Sequence, residues 1–254
     1  MRFHARVELT EIVPLPAEGR VFEMELRAGL ADAAPGGRVR LDAIARWLQD
    51  VAYADIDDAG VAPLALWVVR RLRIQVAHFP RFGEHVLLRT WASGSGRLWA
   101  ERRTTVTGIG QGGTALDLGA AGAAIEAVGL WVTIDPASGR PMRLPEEIER
   151  VYIPTTQGRQ VKARLRHPRP DDGPERSSWR FRFSDMDAAD HVNNAAYWTP
   201  FEERLRAGPE PASLDAEIEF RDPAQAGDVV VLGDVSRMWI ASADGVVHAS
   251  IVTG

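Results

Sequence analysis

No cysteine occurs anywhere in the 254 residues. That excludes disulfide bonds, thiolate-ligated zinc and cysteine nucleophiles. Lysine is almost missing too: Lys162 stands alone, and arginine supplies every other cationic side chain. Codon bias in a GC-rich genome is the simplest explanation, because Arg and Lys serve equally well on most solvated surfaces. There is no basic excess, because the formal net charge is −5. Chains that hold a nucleic-acid backbone carry a clear positive surplus, so nucleic acid is not an expected partner. No run approaches the roughly 18 apolar residues needed to span a bilayer. The residues from Met1 to Leu9 alternate apolar and polar and form no signal-peptide core. A cytoplasmic chain without membrane contact is expected. No Gly-x-Gly-x-x-Gly, phosphate loop or Gly-x-Ser-x-Gly elbow is found, and no cofactor is expected. His4, His78, His85, His167 and His248 are scattered without ligand spacing, so no metal is expected either.

Hydrophobic residues make up 45% of the chain, enough to build a proper core. Strict alternation, the mark of half-buried strands, dominates. Phe3, Ala5, Val7 and Leu9 alternate with His4, Arg6, Glu8 and Thr10. Phe22, Met24 and Leu26 repeat the pattern, as do Leu72, Ile74 and Val76. Further strands are predicted at 85–93, 97–108 and 123–135, the last ending in the turn Asp135-Pro136-Ala137-Ser138-Gly139. One segment has a different period. Leu41, Ile44, Ala45, Leu48, Val51, Ala52 and Ile56 recur at three- and four-residue steps, which predicts an amphipathic helix ending at Gly60. Gly108 to Gly122 reads as a Gly/Ala-rich loop.

Prolines punctuate 141–175, which reads as a linker with one short helix at 145–152. The earlier order then returns. Trp179, Phe181 and Phe183 mark a strand, and a helix is expected from about Asn194 to Arg206, kinked by Pro200. Leu214, Ala216, Ile218 and Phe220 alternate, and strands follow near 228–236, 237–242 and 246–252, with a turn at Asp244-Gly245. A unit of strand, helix and antiparallel strands therefore occurs twice. The fold class predicted is α+β, with two units at 1–140 and 176–254, helices back to back and sheets joined edge to edge.

The segment from Ser184 to Trp198 concentrates the chemistry: Asp185, Asp187, Asp190, His191, Asn193 and Asn194 lie between a strand end and a helix start. An Asn at that junction caps the helix. The free N–H groups of the first turn attract anions and polarised carbonyl oxygens. A carboxylate beside them is placed to activate water or attack a carbonyl. Each residue also has a plainer reading. Asp187 can cap a turn, and His191 can be structural. Asn193 and Asn194 can be caps and loop clamps whose backbone N–H receives a carbonyl oxygen, while Asp185 and Asp190 suit a solvated turn. Trp47, Trp67, Trp91 and Trp131 suit a core or the wall of an apolar tunnel.

The pattern Asp187-x-x-x-His191-Val192-Asn193-Asn194-x-x-Tyr197 resembles the active-site segment of hotdog thioesterases. Leu66-Trp67-Val68-Val69-Arg70-Arg71, Pro80-x-x-Gly83-Glu84, Thr90-Trp91, Glu101-Arg102-Arg103, Ile218-Glu219-Phe220-Arg221 and Gly227-Asp228 are similar to the tandem, acyl-ACP type. The resemblance implies a double hotdog whose first unit shapes an acyl pocket and whose second hydrolyses a fatty acyl thioester. It implies Asp187 as base or nucleophile with His191 beside it, assisted by Asn193 and Asn194. The departures are Ala189, where the acyl-ACP enzymes place Asn, Asp190, where the wider hotdog family has Gly, and Pro223-Ala224, where a Glu is usual. The implied partner is an acyl carrier protein, with basic Arg159, Lys162, Arg164, Arg166 and Arg169 as its docking face. An acyl-CoA thioesterase and a non-catalytic thioester-binding protein are the alternatives, in a monomer or a homodimer.

Overall fold

The computed structural model describes residues 7–113, 122–170 and 175–254. The first half contains β1 (Phe22–Arg27), α1 (Leu41–Asp58), β2 (Leu66–His78), β3 (Glu84–Ser95), β4 (Trp99–Gln111) and β5 (Ala124–Ile134). After α2 (Glu146–Thr156) come β6 (Arg176–Phe181), a 3₁₀ turn at Asn194–Trp198 running into α3 (Thr199–Leu205), and β7 (Leu214–Phe220). β8 (Gly227–Gly233), β9 (Arg237–Ala241) and β10 (Val247–Thr253) complete the second half.

The ten strands among the described residues form one antiparallel sheet in the order β1-β3-β4-β5-β2-β7-β10-β9-β8-β6. Read inward from either edge the order is the same, so the second half repeats the first. The halves meet where β2 pairs with β7, Leu72 opposite Ile218 and Ile74 opposite Ala216. These four side chains are buried with Leu41, Ile44, Leu48 and Val51 of α1 and with Tyr197, Trp198 and Phe201 of the second helical segment. Each Leu, Ile, Val or Phe among them contributes roughly 1.5–3 kcal/mol by leaving water. This is a double hotdog, the α+β architecture that the alternation and the single long helical period predicted.

Alternation puts the charged members of the same strands on the other face. There Arg71 opposes Glu219 and Arg73 opposes Glu217. Two irregular segments cover this face. Residues 7–10 show the alternation of a strand but pair with no ladder among the described residues (residues 3–6 of that predicted strand lie outside them). Side chains of the sheet satisfy their backbone instead: Glu217 accepts from the Thr10 N–H at 2.8 Å, and Arg73 donates to the Thr10 carbonyl. The Pro-rich stretch after α2 is likewise a strap laid on the sheet. Glu219 accepts the N–H groups of Arg166 and His167, and Trp239 donates to the Pro168 carbonyl. The predicted Gly108–Gly122 loop is shorter than expected at its start, because β4 continues to Gln111; 114–121 lie outside the described residues.

Under the strap, His167, Glu217 and Glu219 form a buried cluster whose ligand-type atoms lie within 4.8 Å of one another. Its carboxylates are already occupied by N–H donors and face Arg71, which makes it a latch for the strap. Burial alone raises the Glu217 pKa. Hydrogen bonds from His167 and Thr10 and the nearby Arg71 outweigh it, and the net value falls below the ordinary 4.5. A depressed folded-state pKa contributes stability above the unfolded value that is lost as pH falls through the folded one. Thermal melting should therefore show stability declining from about pH 4.5 downward, with a shallower decline in Glu217→Gln. Parallel curves for the two proteins would refute this assignment.

Candidate active site

A lead-in loop with matching backbone hydrogen bonds occurs in both halves. Each begins with a 3₁₀ turn, Leu30–Asp32 or Phe183–Asp185, whose Asp side chain accepts the N–H of Gly29 or Arg182. Ala34 N–H then donates to Arg38, as Asp187 N–H does to His191. Arg40 N–H donates to Asp32, as Asn193 N–H does to Asp185. Short bridges join Ala33 to Val39 and Met186 to Val192. In this register Ala34 falls on Asp187, Gly37 on Asp190, Arg38 on His191 and Leu41 on Asn194. At the position shared by Ala34 and Asp187, the second copy alone carries a carboxylate.

The register also explains the departure at Asp190. Its φ is 60°, the left-handed conformation that Gly37 takes with φ 87°. Aspartate is among the few non-glycine residues that tolerate this region. The peptide geometry that glycine supplies elsewhere is thus kept here by Asp190.

Asp187 is half-buried, and both its carboxylate oxygens are held. Oδ1 accepts the Ala189 N–H at 2.9 Å and Oδ2 accepts from Asn193 Nδ2 at 3.2 Å. The position of Ala189 therefore contributes through its backbone. Asn193 is the N-cap of the 3₁₀ turn, its Oδ1 accepting the Ala195 N–H at 2.9 Å. Asn194 follows as the first helical residue, and its N–H has no acceptor among the described residues. His191 is exposed at the rim, and its ring makes no hydrogen bond to Asp187 among the described residues. The structure thus joins Asp187 to Asn193, places the Asn194 N–H close by in sequence, and leaves the His191 ring apart.

Ala224 clamps the loop from outside, accepting the Val192 N–H and donating its own N–H to the Tyr197 hydroxyl at 2.9 Å. Burial pushes the Tyr197 pKa up to about 12, with the charge of Asp187 adding to the rise. Tyr197 is therefore neutral at working pH. The helix expected from Asn194 to Arg206 is broken into the 3₁₀ turn and α3. Pro200 lacks the N–H that would continue an α-helix backward to Ala196, and it sits in the first turn of α3.

These groups line a cavity of about 470 Å³ that also takes in Gln49, Tyr53 and His248. Tyr53, Trp67 and Trp131 separate it from a narrow apolar cavity lined by Ile56, Leu144 and Ile148. On its other side Arg70 and Arg221 are shared with a groove that contains Arg169. Arg70 is half-buried and donates to the Arg221 carbonyl at 2.9 Å, but no carboxylate lies within ion-pair distance among the described residues. Burial pulls its pKa below the ordinary arginine value. Of the basic strap residues, Arg159 and Arg166 are tied to Glu101 and Glu217, while Lys162, Arg164 and Arg169 are exposed.

Sequence reasoning missed Gln49, Arg221 and His248 as cavity residues. Gln49 lies outside the motif, on α1 of the other half, and only the internal register identifies it.

The sequence profile of the acyl-ACP thioesterase N-terminal domain matches residues 19–152, and that of the C-terminal domain matches 169–239. The chain belongs to the acyl-ACP thioesterase family. It is 27% identical over 249 residues to an uncharacterised protein of Mycobacterium tuberculosis, covering 95% of both chains. It is 23% identical to the chloroplastic palmitoyl-acyl carrier protein thioesterase of Arabidopsis thaliana, over 71% of this chain and 46% of that protein. Its fold matches the 12:0-ACP thioesterase from Umbellularia californica with a TM-score of 0.72 and 18% identity, covering 93% of this chain and 97% of the other. No helix among the described residues is long and apolar enough to cross a membrane.

Proposed function

We propose that the chain hydrolyses fatty acyl-ACP to free fatty acid and carrier thiol, with Asp187 as general base. One observation carries this reading: a carboxylate fixed by two N–H donors lines a cavity that shares an aromatic wall with a narrow apolar one. The acyl chain lies in the apolar cavity of the first half and the thioester carbonyl beside Asp187. Asp187 takes a proton from water as the hydroxyl oxygen attacks the carbonyl carbon. The Asn194 N–H receives the developing oxyanion at the start of the helical turn. The C–S bond then breaks, and the proton held by Asp187 passes to the departing thiolate. No cofactor is required for this sequence.

The carrier side favours a pantetheine arm. The Arg70–Arg169–Arg221 groove beside the cavity suits its phosphate, and the exposed Lys162 and Arg164 suit an acidic carrier protein. Acyl-CoA bears the same arm and is the second reading. Thiol release from the same acyl groups on ACP and on CoA separates the two, and faster release from ACP is expected. Equal or faster release from CoA would transfer the assignment to that carrier. Tight binding of both with no thiol released would make the chain a thioester-binding protein instead.

A further inference from the structure

We infer that Gln49, on the helix of the first half, is a positioning residue for the site of the second half. The inference rests on the thioesterase reading. Gln49 Nε2 donates to Asn193 Oδ1 at 3.2 Å, and Asn193 Nδ2 donates to Asp187 Oδ2 at the same distance. Asn193 is therefore a relay. Its oxygen accepts from Gln49 and from the Ala195 N–H, which fixes its amide with the nitrogen toward the carboxylate. Rotating that amide by half a turn would set donor against donor at Ala195 and acceptor against acceptor at Asp187. Hydrogen bonds in such a chain polarise one another, so the Gln49 bond strengthens the one Asp187 receives.

The internal duplication provides a comparison within the same molecule. With Leu41 on Asn194, Gln49 falls on Glu202. Glu202 makes the mirror-image reach into the first loop, accepting the Leu41 N–H at 2.6 Å and both terminal nitrogens of Arg38. One helix position in each half thus grips the lead-in loop of the other. The chemistry differs with the loop. Facing the guanidinium of Arg38, the position holds a carboxylate; facing the Asn193 oxygen and Asp187, it holds a neutral amide. A carboxylate at position 49 would repel both.

The test uses the full chain with Gln49→Leu and Gln49→Glu, each melting within a few degrees of wild type. Gln49→Leu should lower kcat roughly tenfold, the effect of one hydrogen bond of ordinary net strength, with KM unchanged. Gln49→Glu should lose more at neutral pH, and its rate relative to wild type should rise as pH falls through the glutamate range. There the protonated carboxyl can again donate to Asn193. A purely structural role would not give that pH-dependent ratio. The side-chain amide signals of Asn193 in NMR report the contact without turnover, and in Gln49→Glu they should follow the titration of the introduced carboxyl. Wild-type kcat in Gln49→Leu, or Asn193 signals indifferent to that titration, would overturn the inference. Wild-type protein that releases no thiol while the Asn193 signals respond in the variant would overturn the thioesterase reading and keep the contact.

Discussion

Replacing Asp187 by Asn should lower kcat for thioester hydrolysis by about 10²–10⁴-fold, the range a general base contributes, without unfolding the protein. The substitution keeps the size of the side chain and the acceptor for the Ala189 N–H, and it removes the charge, the proton-accepting oxygen and the one hydrogen bond from Asn193 Nδ2. The loop is held by backbone bonds from Asp187 to His191 and from Asn193 to Asp185, which the change leaves intact. The melting temperature should therefore move little. His191→Ala should cost far less, because the His191 ring is exposed at the rim and makes no hydrogen bond to the carboxylate among the described residues. Stopped assays of thiol release with both variants decide this. An Asp187→Asn protein that keeps its rate within a few-fold would remove the carboxylate from the mechanism, and a larger loss in His191→Ala would reverse the order of the two residues.

Glu202→Ala should destabilise the protein by about 3–5 kcal/mol, the cost of stranding a buried charge. Arg38 and Glu202 are both nearly inaccessible, with side chains 6% and 9% exposed and a closest contact of 2.6 Å. The same carboxylate caps α1 through the Leu41 N–H, and Arg38 lies over the Phe79 ring at 4.8 Å. Arg38 Nε already lacks a hydrogen-bond partner among the described residues, and without Glu202 the guanidinium keeps only the Val39 carbonyl at 3.3 Å and the half-solvated Glu210 carboxylate at 3.9 Å. The shift in melting temperature should be on the order of 10 °C. The double variant Arg38→Met with Glu202→Leu should recover most of it, because apolar replacement of a buried pair is near neutral. A single variant as stable as wild type would show the pair to be dispensable.

Much of this architecture is legible in the sequence because period and burial are linked locally. Leu72, Ile74 and Val76 alternate because one sheet face lies under helices, and Leu41 to Ile56 repeats at helical steps for the converse reason. The segment Asp187–Asn194 stood out because polar groups concentrate where a strand gives way to a helix. What failed depended on partners distant in the chain. Residues 7–10 alternate as a strand does, yet their hydrogen bonds go to Glu217 and Arg73 side chains. The strap connects the two halves as its prolines suggest, but its attachment to Glu219 and Trp239 is not legible in them. Gln49 resembles any half-solvated helical residue until Asn193 is brought to it.

The repeated loop has a consequence for how such a chain can change. A homodimer of single units writes every substitution twice, once on each side of its symmetry axis. Within one polypeptide the two copies are spelled independently. Ala34, Arg38 and Glu202 on one side and Asp187, His191 and Gln49 on the other are separately heritable answers to the same geometric position. One copy is free to become a brace, while the other is free to keep its chemistry.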